Sequence, residues 1–105
     1  MTAWIYLLLA GLLEVIWAYS MKLSEGFSKI VPTSVTIIAM IASFALLSFS
    51  MKQLPLSVAY PIWTGIGAVG TFILGITLLG ENISMLKIIA AILIVSGLVL
   101  MKISK

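Results

Sequence analysis

Four long apolar runs follow one another along the chain, at residues 3–21, 30–51, 56–79 and 84–101. Each is close to the ~20 residues that carry a helix across a hydrocarbon core. Short polar breaks separate them: Lys22-Leu23-Ser24-Glu25-Gly26-Phe27-Ser28-Lys29, then Lys52-Gln53-Leu54-Pro55 with its turn-forming proline, then Gly80-Glu81-Asn82. Backbone groups inside lipid must be paired within the segment, so helices are the structure open to runs of this length. A barrel needs alternating strands of about ten residues, and none of the runs alternates. The pattern predicts an all-α integral membrane protein, one domain of four transmembrane helices over residues 1–105.

Composition sharpens this picture. Hydrophobic residues make up 63% of the chain and charged residues 9%, against about 25% charged in ordinary globular proteins. With a mean hydropathy of +1.32, six Lys and three Glu cannot solvate the outside of so small a particle. Cys, His, Asp and Arg are absent altogether. That excludes disulfides, thiolate metal sites, histidine-based catalysis and arginine clamps. No serine has a histidine, aspartate or evident lysine base beside it in sequence, so the chain reads as a non-enzyme without metal or cofactor. The net charge of +3 is scattered and forms no basic run, which leaves nucleic acid without a binding surface. Residues 1–20 lack the Lys/Arg start of a signal peptide and carry a Glu within the apolar run, so they read as a span.

The short breaks leave no room for a soluble module, so the activity is expected inside the bilayer of the cell (plasma or inner) membrane. Four helices enclose little volume, and a solute path between them calls for a second copy. Orientation is unusual. Lys52, Lys102 and Lys105 fall on one side of the membrane, and Lys22, Lys29 and Lys87 on the other. The lysine excess that normally fixes topology is therefore nearly absent. Either other features orient the chain, or it inserts both ways up and permits an antiparallel, dual-topology homodimer.

Glu14 is the ionisable side chain deepest within a span. A charged acid at that depth costs at least ~2.5 kcal/mol on insertion scales. It either bonds a neighbouring helix as a neutral strut or serves as a site that holds a proton or a cation in turn. At 100° per residue, Leu7, Ala10, Gly11, Glu14, Trp17, Ala18 and Met21 share one face, so the acid lies on a stripe of small residues beside one indole. Gly11 and Ala10 let a helix or a solute come close.

Ala59, Tyr60, Trp63, Gly67 and Gly70 share a face of the third run. Tyr60 and Trp63 offer polar N–H and O–H groups and π faces for a cation, or belong to an interfacial aromatic belt; Trp4 and Tyr6 fit that belt better. Glycines 65, 67, 70 and 75 each weaken the helix by roughly 1 kcal/mol against alanine. They mark either a hinge near Gly65 and Gly67 or a surface for close packing. In the fourth run Ala90, Leu93, Ile94, Gly97 and Met101 line one face, which reads as a dimer seam.

Taken together, Glu14-Val15-Ile16-Trp17-Ala18, Pro55-Leu56 and Ala59-Tyr60-Pro61-Ile62-Trp63-Thr64-Gly65-Ile66-Gly67 give a chain that resembles the small multidrug resistance family over its whole length. It is most similar to the guanidinium-exporter subtype, which has Trp three residues after the Glu and reads Trp-Thr-Gly-Ile-Gly in the third span. Quaternary ammonium exporters of the family usually have Gly at the position of Trp17. The resemblance implies an antiparallel homodimer and proton-coupled antiport by alternating access, with Glu14 taken alternately by protons and substrate. It places Gly11, Glu14, Trp17, Ser43, Tyr60 and Trp63 around the substrate, with Ser43 supporting the acid by a hydrogen bond and the Gly97 seam holding the dimer. Pro61 stands where the family pattern has Ala, at the start of a span, where proline is tolerated.

The leading expectation is export of guanidinium and small guanidinyl cations in exchange for protons. The alternative within the same family is a promiscuous exporter of quaternary ammonium and other drug-like cations. A non-transporting membrane subunit and a passive cation channel stand further off.

Overall fold

The computed structural model describes residues 2–103 and folds each apolar run into one helix: α1 (Thr2–Leu23), α2 (Ile30–Ser50), α3 (Leu56–Thr77) and α4 (Met85–Ile103). No strand occurs among the described residues. Lys105, counted above among the lysines of one side, lies outside them. All four helices are long and apolar enough to cross a membrane.

The connections are built from local hydrogen bonds. After α1 the Ser24 hydroxyl donates to the Met21 carbonyl at 2.7 Å and accepts the Phe27 N–H at 3.1 Å. Glu25, Gly26 and Phe27 take φ of 50°, 75° and 67°, three successive left-handed residues that reverse the chain into α2. Extended Pro55 leads into α3, where no N–H is needed. Pro61 lies inside α3, and the helix continues through it to Thr77 without a break. Gly80, at φ 66°, turns the chain out of α3.

Leu7, Ala10, Leu47, Ala59, Ile62 and Trp63 form the buried core, with Trp4, Trp17, Ile66 and Leu98 packed around it. Ala10 and Ala59 are fully covered, so the small side chains set how near α1 and α3 come. These two helices run in the same direction, with Gly11 beneath Ile66, Glu14 against Gly67 and Val15 against Gly70. Several hydroxyls within the spans are consumed by their own helix, as when Thr36, Thr71 and Thr77 donate to Pro32, Gly67 and Ile73 carbonyls at 2.8 Å.

The helices form a flattened bundle of 43 × 34 × 16 Å. α4 lies at its margin. Its backbone approaches only α3, it has no buried residue, and Leu86 and Leu93 are 79% and 66% exposed. Leu98 presses on the bare backbone of Gly65, and the Lys102 ammonium sits 4.9 Å from the Trp4 ring centroid. In water so much exposed apolar surface would drive aggregation; in a bilayer it is the surface that lipid wets.

Candidate functional site

Glu14 projects from the middle of α1 towards α3, against the one-atom side of Gly67. A Cβ at Gly67 would overlap the Glu14 carboxyl group, so only glycine leaves the acid its place. One carboxyl oxygen, Oε1, is shut off from the surroundings and meets no hydrogen-bond donor among the described residues. One turn further along α1, the Trp17 indole Nε1 is equally enclosed and equally without an acceptor. A carboxylate acceptor and an N–H donor thus stand unused within a few ångström of apolar packing, where each such group left unmade is costly.

Ser43 of α2 holds this turn of α1 by a route other than the expected one. Its hydroxyl donates to the Ala10 carbonyl at 2.7 Å and accepts the Trp63 indole N–H at 3.0 Å. The expected bond from Ser43 to the Glu14 carboxyl is therefore not made, because a hydroxyl has one proton and the Ala10 carbonyl takes it. Ala10 is also the residue whose carbonyl receives the Glu14 backbone N–H in an α-helix. Ser43 consequently fixes the backbone that carries Glu14 and ties it to α3, while the carboxyl itself stays unpaired.

An aromatic row runs away from the acid. Trp17 meets Phe44 edge-on with centroids 6.3 Å apart, Phe44 meets Trp63 at 5.7 Å, and Trp63 meets Tyr60 at 5.4 Å. Tyr60 is half exposed, and with Phe44, Met51 and Trp63 it lines a groove of about 310 Å³ between α2 and α3. Phe44 joins the two tryptophans, yet nothing in its sequence neighbourhood sets it apart: it is one apolar residue in an apolar run, without the contrast that singles out an acid. Its position beside Ser43 was the only available sign.

The remaining expected residues fall into two groups. Gly11 packs under Ile66, whose Cγ2 would lie 2.6 Å from an added Cβ, so it serves the α1–α3 contact and not the lining of a cavity. Gly65 and Gly67 receive Leu98 and Glu14 within a helix that is continuous in this structure, which is close packing without a kink. On α4, Leu93 and Gly97 face outward, and an added Cβ at Gly97 would meet nothing within 4 Å, whereas Ala90 and Ile94 border a cleft that α4 forms with Ala68, Val69 and Phe72 of α3.

Four apolar helices, with an enclosed and unpartnered carboxyl oxygen among them, describe an integral membrane protein. Residues 2–94 match the Small Multidrug Resistance protein family, and the chain belongs to it. It is accordingly a multi-pass membrane transporter and not an enzyme, a protein of the inner membrane in a bacterial cell. Among its relatives, proteins named guanidinium exporter from Yersinia pseudotuberculosis and from Salmonella typhimurium are each 54% identical over 102 residues. The alignments cover 97% of this chain and 98% and 97% of those proteins. A guanidinium exporter from Escherichia coli (strain K12) is 50% identical over 97% of both chains.

Proposed function

We propose that the protein exports guanidinium and small guanidinyl cations in exchange for protons, with Glu14 binding the two in turn. The observation that carries this reading is the enclosed Glu14 oxygen with no partner, one turn from an indole N–H with none. The names of the relatives support the choice of cation. Guanidinium is planar, and its paired N–H groups fit a carboxylate bidentately, whereas a quaternary ammonium ion has no donor to give. Trp17 occupies space beside the acid that a bulky cation would need.

In the exchange, guanidinium docks on the Glu14 carboxylate as the proton leaves on that side, and a proton returns as guanidinium departs on the other. Two copies in opposite orientation would give equivalent exits at both faces, in keeping with the even lysine count. The uncovered α4 face around Gly97 is where the second copy would pack, with Ala90, Leu93 and Ile94 beside it. Gly65 and Gly67 are the points at which α3 would slide past Leu98 and Glu14 between inward- and outward-open states.

The test is a substrate panel on purified protein in lipid vesicles. Guanidinium should drive proton movement in the opposite direction, and large polyaromatic cations should not. Trp17→Gly should admit the larger cations and narrow that difference. Ready movement of ethidium-like cations with none of guanidinium would favour the multidrug alternative, an uncoupled leak would favour a channel, and no flux at all a scaffold.

A further inference from the structure

We infer that the cleft between α1 and α3 at their loop ends is a receiving site for the cation, in which Glu81 binds the substrate before it reaches Glu14. The inference rests on the export reading above and adds to it a second binding station.

The contact between α1 and α3 continues past the acid in steps of four residues. Gly67 faces Glu14; one turn on come Ala18 and Thr71, and another turn on, Lys22 and Gly75. Beyond the close approach of Val15 to Gly70 the two helices leave a cavity of about 350 Å³, bordered by Tyr19, Lys22, Thr71, Gly75 and Glu81. That volume suits a small ligand. Lys22 lies eight residues beyond Glu14, so the cavity is about 12 Å further along the helix, too far for one small ion to touch both acids.

Glu81 belongs to the segment after α3 and folds back over the end of that helix. Its N–H donates to the Gly75 carbonyl at 2.9 Å, and its carboxyl lies on the bare backbone of Gly75, where an added Cβ would meet Oε1 at 2.5 Å. This is an unfavourable place for an anion, because the carbonyls at a helix C-terminus already carry partial negative charge. Lys22 borders the same cavity without reaching ion-pair distance; among the described residues the ion pair formed is Lys29 with Glu25 at 3.1 Å. A carboxylate at a helix end, beside a cavity whose one bordering ammonium stays out of ion-pair reach, calls for a cation with several donors. Guanidinium meets that requirement, with one edge for the carboxylate and others for carbonyls.

Among the described residues the opposite end of the molecule holds no acid. The connection 52–55 holds Lys52 and no acid, and α4 ends at Lys102. An incoming cation meets an acid at one end of the chain alone, so an antiparallel pair would offer one such station at each membrane face.

The experiment measures guanidinium-driven proton flux by the full-length protein in vesicles, comparing the unmodified chain with Glu81→Gln and Lys22→Gln at about 0.05 and 0.5 M salt. Both side chains are exposed, so both variants should fold. Glu81→Gln should raise the half-saturating guanidinium concentration about three- to fivefold at both salt levels, more than it lowers the maximal rate, and Lys22→Gln should lower that concentration. No change in Glu81→Gln, or a change confined to low salt, would overturn the site, since the latter is long-range attraction without binding. A second measurement is independent of transport: in Glu14→Gln, guanidinium chloride should shift the Gly75 and Glu81 amide resonances at concentrations where sodium chloride does not. Absence of that selective shift would overturn the site as well. If the unmodified chain moved no guanidinium while the shift remained, export would have failed and the site would stand.

Discussion

Glu14 lies where a charge is most costly and where none of the described residues neutralises it. Replacement by Gln keeps its size and removes its charge, so Glu14→Gln should fold, reconstitute and show no coupled exchange. Coupled exchange retained in this variant would remove Glu14 from the mechanism. On the proposed mechanism protons and cation compete for one carboxylate in the unmodified protein, so the cation should be bound less well as the pH falls. Its apparent dissociation constant should rise by up to about tenfold per unit of pH where one proton is displaced. A binding constant that is flat from about pH 5 to 9 would leave Glu14 a structural residue. The prominence of this acid was legible from its isolation in an apolar run. The partners of Ser43 were not, because a hydroxyl in a span can bond its own helix or another, and only the position of α1 behind α2 decides between them.

At the scale of the helix, apolar length and polar breaks were sufficient to read four spans, since lipid admits so few alternatives. What the runs did not distinguish was the two uses of a glycine. Gly67 lies under the Glu14 carboxyl, whereas Gly97, in an equally apolar helix, faces open space. The difference depends on which face each helix turns to its neighbour, and α4 has so little polar contrast that its facing was not readable from the pattern. Gly67→Ala should therefore abolish or strongly reduce exchange, because the added methyl displaces the acid. Gly97→Ala should leave the fold of a single chain intact and act on association alone. Equal, wild-type exchange in Gly67→Ala, measured in the same vesicles, would show that the acid does not need the place described here.

For the whole molecule, the even lysine distribution makes orientation the decisive property. A single cysteine added near a terminus, probed with an impermeant label in cells, should report both orientations. Extra lysines on one side should drive the chain to one orientation and silence it when expressed alone, and co-expression with an oppositely biased variant should restore activity. Uniform labelling of the unmodified chain would reject dual topology.

The exposed state of α4 has a consequence for how sequence information is distributed. Within one chain its outward side chains meet no protein, so lipid constrains their composition and not their order. Exchanging Ile92 with Leu93 alters neither the hydropathy of the span by much nor any buried contact. Under that single constraint the outward aliphatic residues are free to permute, unlike Leu98 on Gly65, and any outward position that resists permutation marks a surface read by another protein.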